Sequence, residues 1–183
     1  MLKDYIFQSA MQVMEECKAD WFSVSKNARI GYCDGVKFST GEIVCTNKIH
    51  APKPVTAISF ATFTHEAFHA QDIKRREMEL PTYILEYDAC KYSEVQADRF
   101  GIDLPASVKL DNRAYVAKEI AKYITSILGG SMQLSEFMKV WDSIPSEIRG
   151  YVAGLVKYNP VTQSVSGGIT PQQWITAKNN KTK

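Results

Sequence analysis

Val55-Thr-Ala-Ile-Ser-Phe60-Ala-Thr-Phe-Thr-His65-Glu66-Ala-Phe-His69-Ala-Gln71 is the stretch on which the reading of this chain turns. Ile58, Phe60, Phe63 and Phe68 fall on several faces of a 3.6-residue period, the pattern of a buried helix. The sequence predicts that helix over Val55–Glu79, opened after Pro54 and broken by Leu80-Pro81-Thr82. Inside it stands H-E-x-x-H, formed by His65, Glu66 and His69. Residues four apart differ by about 40° around a helix and about 6 Å along it, so both imidazoles face one way. They can bind one tetrahedral metal through ring nitrogens at about 2.0–2.1 Å. Glu66 lies about 100° further round. There it is poorly placed to ligate and well placed as a base acting on a water beside the metal. With this composition about 0.003 such matches arise by chance in a chain of this length, so accident is a weak explanation.

A third ligand is required. The chain has 3 histidines, and the remaining one, His50, precedes the helix, so a downstream ligand must be a carboxylate. From His69 to Glu79 is ten residues, about 15 Å of helix, and from Tyr83 to Glu94 is eleven, about 16 Å of returning helix. Antiparallel packing across a short break then returns Glu94 level with His69 and Asp98 level with His65. Glu94 is the expected third ligand, with Glu86 or Asp98 as substitutes. Asp98 is expected to accept the free N–H of His65 and fix its tautomer. Asp72 is a weaker candidate for the same role. His50 reads as a strand-end surface residue and Lys74-Arg75-Arg76 as a solvated helix end.

Working outward, residues 3–19 have the spacing of an amphipathic helix. Short β-prone runs follow at Trp21–Val24, Arg29–Cys33, Val36–Ser39 and Glu42–Thr46, cut by Asp34-Gly35 and Thr40-Gly41. They predict a small antiparallel sheet of three or four strands. Beyond the motif helix, helices are expected over Tyr83–Gly101, Asp111–Leu128, Leu134–Asp142 and Pro145–Lys157, the second of these stopping at Gly129-Gly130. From Asn159 the chain turns polar, so residues 159–183 read as a tail that Trp174 could dock, behind a single domain at 1–158. The fold class is α+β, a small sheet followed by a mostly helical core.

Composition narrows the function. At 183 residues, 45% apolar and 23% charged, the chain has the balance of an ordinary globular protein. A net charge of +2 gives no basic stripe for nucleic acid. The 4 cysteines (Cys17, Cys33, Cys45, Cys90) form no C-x-x-C pair, which argues against a zinc finger and suits a reducing compartment. Lys3, Asp4, Glu15, Glu16 and Lys18 interrupt any signal-type apolar run, and Val55–His65 is too short to span a bilayer. A cytoplasmic protein without membrane or nucleic-acid partner is the expectation.

His65-Glu66-x-x-His69, a gap of 24 residues, then Glu94-x-x-Ala97-Asp98 resembles the gluzincin group of zinc metallopeptidases, which includes thermolysin. Glu94-Val-Gln-Ala-Asp-Arg-Phe-Gly101 is similar to the Glu-x-x-Ala-Asp segments of HtpX-type peptidases. Ala97, Phe100 and Leu104-Pro105 are shared with the ImmA/IrrE type. The resemblance covers about residues 62–101. It implies a zincin-like core in which His65, His69 and Glu94 bind Zn2+, Glu66 is general base and then acid, and Asp98 supports a ligand. It also implies an edge strand at Glu42–Asn47 that holds a protein or peptide substrate in extended form. Two positions depart from the pattern: Gln71 stands where an apolar residue is usual, and no histidine follows His69. An oxyanion helper would be one of Tyr83, Tyr87, Tyr92, Tyr115, Tyr123, Tyr151 and Tyr158. The expected activity is zinc-dependent endopeptidase. The alternative is a non-catalytic binding or regulatory protein that uses zinc to join two helices.

Overall fold

The computed structural model of the chain describes residues 1–23, 27, 31–37, 43–71 and 80–169. Six helices and five strands lie among them: α1 (Leu2–Cys17), β1 (Asp20–Ser23), β2 (Tyr32–Lys37), β3 (Ile43–His50), α2 (Ala57–Gln71), α3 (Thr82–Arg99), α4 (Ala106–Leu128), α5 (Leu134–Ser143), α6 (Ser146–Tyr151), β4 (Val156–Asn159) and β5 (Ser164–Gly167). The fold is α+β with a mostly helical core, as the sequence predicts. The contacts divide it into two compact units, 1–80 with 88–108 and 81–87 with 109–183.

The first unit is built on α2. Its start is set by a reciprocal cap: Thr56 Oγ1 accepts the Ser59 N–H at 3.2 Å while Ser59 Oγ accepts the Thr56 N–H at 3.0 Å. Phe60, Phe63 and Ala67 are fully buried, and α1 contributes Ile6, Ala10, Val13 and Cys17 to the same core, with Ile49 from β3. Burying each phenylalanine stabilises the unit by about 2–3 kcal/mol. Trp21 meets Phe63 edge-on at 5.7 Å and donates its indole N–H to the Ala51 carbonyl at 2.9 Å, tying β1 to the entry of α2.

The strand order is β1-β3-β2, with β1 parallel and β2 antiparallel to β3. This corrects the expected antiparallel pairing: among the described residues the sheet has three strands, within the expected number, and is mixed. Asp34-Gly35 is not a turn either. It lies within β2, where the pairing with β3 shifts between Cys33 and Gly35, so the irregularity that Asp-Gly favours is absorbed as a kink. The resemblance places the edge strand at Glu42–Asn47; β3 is central in the strand order, but β1 pairs with it only at Lys48–His50, so among the described residues Ile43–Asn47 is paired on the β2 side alone. Thr40-Gly41, Asp72, Lys74-Arg75-Arg76 and Trp174 lie outside the described residues. His50 ends β3 with its ring stacked on Tyr32 at 4.5 Å, half-buried rather than on the open surface.

Helix α3 ends on a glycine for a specific reason. Gly101 has φ +61°, its N–H bonds the Asp98 carbonyl at 3.1 Å, and the Ile102 N–H reaches back to the Ala97 carbonyl at 2.8 Å. That is a Schellman cap, closed by buried Ile102 and Ala97. Helix α2 is described to Gln71, eight residues short of the expected Glu79.

In the second unit, α4 starts at Ala106 rather than Asp111 and stops at Gly129 (φ +81°), whose N–H bonds the Thr125 carbonyl at 2.8 Å. Val116, Ala117, Ile120 and Ile124 are buried along it. The stretch from Asn159, expected as the start of a polar tail, turns instead into a β4–β5 hairpin. Asn159 Oδ1 accepts from the Val161 and Thr162 N–H groups, an Asx-type turn that makes Asn-Pro a folding signal. Gly167 lies so close to the Ala117 carbonyl that a Cβ there would collide with it.

One surface pair joins α1 to α3. Arg99 donates to both Glu16 carboxylate oxygens, at 2.7 and 2.8 Å, and this fork, with a bond from Gln12, holds Glu16 down at about 2. A carboxylate lowered in the folded state adds stability that is full above its ordinary value of 4.5 and is lost as pH falls through about 2. Because the pair is exposed and screened, its contribution is small. Wild type and Glu16→Gln are therefore expected to differ slightly in Tm at pH 6 and to coincide at pH 2. Thermal melts across that range check the convergence.

Candidate metal centre

Helix α2 brings the two histidines into register as their spacing requires. His65 Nε2 and His69 Nε2 lie 3.1 Å apart, with rings crossing at 76°. Two nitrogens bound to one tetrahedral metal at about 2.0–2.1 Å sit about 3.3 Å apart, so this separation is close to the edge of such a site. His69 and Glu66 are buried and His65 is half-buried.

The carboxylate that meets them is Glu86. One ligand atom from each of His65, His69 and Glu86 lies within 4.8 Å of the others, so the three form a group that could hold a metal ion. Two imidazoles and a carboxylate are the donor set of a zinc-type site with a further position open. The donors therefore fit an ion in chemistry, and the two imidazole nitrogens nearly fit it in spacing.

Glu94 does not join this group. Its Oε2 accepts from Lys91 Nζ at 3.1 Å, one turn back on α3. The equal outward and returning helical runs that would bring Glu94 level with His69 depend on residues 72–79, which lie outside the described residues. Glu86 lies near the start of α3. Glu94 is two turns on, about 12 Å further along the axis and about 80° round. Glu86, weighed in the sequence as a substitute, is the ligand the geometry favours.

The partner of the ligand also differs from expectation. Asp98 is exposed. The atom beside His65 Nδ1 is Cys90 Sγ, at 3.7 Å, and Cys90 is buried. Glu86 and Cys90 are one turn apart on the same unbroken helix, about 40° round and 6 Å along, so both reach His65. In the tautomer of His65 that carries its proton on Nδ1, that proton faces Cys90 Sγ and Nε2 is left free towards His69 and Glu86. The signal for this was present as a buried thiol four residues after a glutamate. Nothing in a lone cysteine distinguishes such a role from ordinary packing.

Of the seven candidate tyrosines, two are committed elsewhere. The Tyr92 hydroxyl lies 3.2 Å from Cys17 Sγ, and burial followed by that bond raises its pKa. Tyr158 donates to the Met132 carbonyl at 2.8 Å. Tyr83, against Tyr123 at 4.9 Å, is also raised, chiefly by burial. Gln71, the departure from the family pattern, is exposed, and its Oε1 lies 3.5 Å from Cys17 Sγ. A polar residue is tolerated there because the position is exposed. No helix among the described residues is long and apolar enough to cross a membrane.

No family model, no curated protein and no solved structure matches the chain.

Substituting His65, His69 or Glu86 by Ala is expected to remove stoichiometric metal binding, while Glu94→Ala leaves it within about three-fold. Metal analysis after dialysis against limiting zinc separates the two carboxylates. Cys90→Ala is expected to weaken metal affinity by about 10–100-fold, the usual cost of losing a partner that orients a ligand. Competition with a chromophoric chelator measures it, and an unchanged affinity would remove Cys90 from the centre.

Proposed function

We propose that the chain is a zinc-dependent endopeptidase in which His65, His69 and Glu86 hold the ion and Glu66 is the general base. The observation that carries the reading is the convergence of two imidazole Nε2 atoms and one carboxylate beside a buried glutamate on the same helix. When bound, zinc supplies a Lewis acid that polarises a peptide carbonyl and lowers the pKa of a nearby water. Glu66 follows His65 directly, so its carboxylate is offset from the ligand direction and is free to accept a proton from the attacking water. It then returns that proton to the leaving amine. Burial keeps the carboxylate close to its task, because a desolvated base responds more strongly to a developing charge.

The sheet supports a binding mode for an extended peptide. Among the described residues β1 pairs with β3 only at Lys48–His50, so Ile43–Asn47 is paired on one side, and β2 pairs only with β3. A peptide would add by main-chain hydrogen bonds along one of two edges, Ile43–Asn47 or the outer side of β2. The residue before β2, Gly31, lies against Glu66 and Thr62, so the β2 edge starts beside the base.

Zinc-loaded protein is expected to cleave members of an unbiased peptide library, and Glu66→Gln to lower that rate by about 10²–10⁴-fold with zinc content unchanged. Stoichiometric zinc without hydrolysis in the wild type would instead identify a binding or regulatory protein whose zinc joins α2 to α3. Full activity in Glu66→Gln would remove the base from the mechanism.

A further inference from the structure

Gly31 is the residue before β2, and a Cβ built on it would stand 2.7 Å from Glu66 Cγ, 3.1 Å from Glu66 Oε1 and 3.1 Å from Thr62 Cγ2. The first separation is closer than carbon atoms tolerate. The backbone of Gly31 is outside the left-handed region, so no turn requires a glycine here. The requirement is space: the main chain approaches the side of α2 so nearly that only hydrogen fits between them. Thr62 and Glu66 are one turn apart, so residue 31 faces both along a single strip of the helix.

We propose that Gly31 is a positioning residue for Glu66, its backbone forming the wall that selects the rotamer of the base. Side chains occupy a few staggered wells, and a wall against both Cγ and Oε1 limits which of them Glu66 can occupy. The functional half of this inference rests on the peptidase reading; the contact itself does not. With alanine at 31, Glu66 Cγ must retreat by about 0.7 Å to regain the 3.4 Å of ordinary contact. The carboxylate at the end of that lever then moves by about 1 Å, a misplacement that costs on the order of 10²-fold in rate. The ligands His65 and His69 point elsewhere on the helix and keep their positions.

Two measurements on the full chain test this. In the zinc-loaded protein, Gly31→Ala is expected to lower kcat by about 10–100-fold with KM and zinc content within about two-fold of wild type. Thr62→Ser, which removes the second crowding carbon, is expected to restore part of that loss. Independently of catalysis, Gly31→Ala is expected to lower Tm in the wild-type background and to lose most of that effect in Glu66→Ala, where Cγ is gone. Should Gly31→Ala fold only in the Glu66→Ala background, the contact is supported in stronger form. Equal Tm losses in both backgrounds overturn the contact, and an unchanged kcat overturns the positioning role. If the wild type has no activity, the peptidase reading and the positioning role both fail, while the Tm comparison still decides whether Gly31 confines Glu66.

Discussion

Burial of polar side chains within α2 is the constraint from which the first unit takes its form. Glu66 and His69 are held in a helix whose Phe60, Phe63 and Ala67 are fully buried. Removing a carboxylate and an imidazole from water costs several kcal/mol unless partners are supplied. For the imidazoles the structure supplies them on two sides: His65 turns its Nε2 to His69, and Glu86 and Cys90 approach from α3. Thr64, fully buried between them, satisfies itself by donating to the Phe60 and Ala61 carbonyls. A helix carrying this much buried polarity is stable only where its surroundings satisfy it, and the group that His65 and His69 form with Glu86 could hold a metal ion.

Much of this was legible in the sequence, because it depends on period. The four-residue spacing of the histidines puts them on one face whatever the tertiary structure. The stops at Gly101 and Gly129 follow from the left-handed geometry that glycine adopts without strain. Period says less about the third ligand, because the level at which α3 returns depends on residues 72–79, outside the described residues; among those described, Glu86 is the carboxylate that stands with the histidines. A carboxylate two turns away is the whole difference, and no local pattern in Glu86-Tyr-Asp-Ala-Cys90 marks it over Glu94-Val-Gln-Ala-Asp98.

The sheet was misread for a related reason. Alternation identifies strands but says nothing about the order in which they pair, and Asp34-Gly35 has the composition of a hairpin turn without being one. Strand β3 takes the central position, with Ile49 fully buried, and this leaves β1 parallel to it across a connection that hairpin signals cannot describe. Likewise Asn159-Pro160, read as the start of a tail, is the corner of a hairpin whose existence depends on partners elsewhere: Tyr158 on the Met132 carbonyl and Gly167 against α4.

The continuity of α3 through Glu86 and Cys90 has an evolutionary corollary. Because one rigid turn carries both the carboxylate and the thiol, the two are coupled in register: a single inserted residue between them would rotate one by about 100° away from His65. The inheritable signature of this centre is thus His-Glu-x-x-His, a spacer of 16 residues, and Glu-x-x-x-Cys. The spacer can drift in composition, since it only has to reverse the chain, whereas the two short words cannot drift in length. Descendants of this protein that lose the thiol are expected to carry another acceptor at that same turn, not one turn beyond.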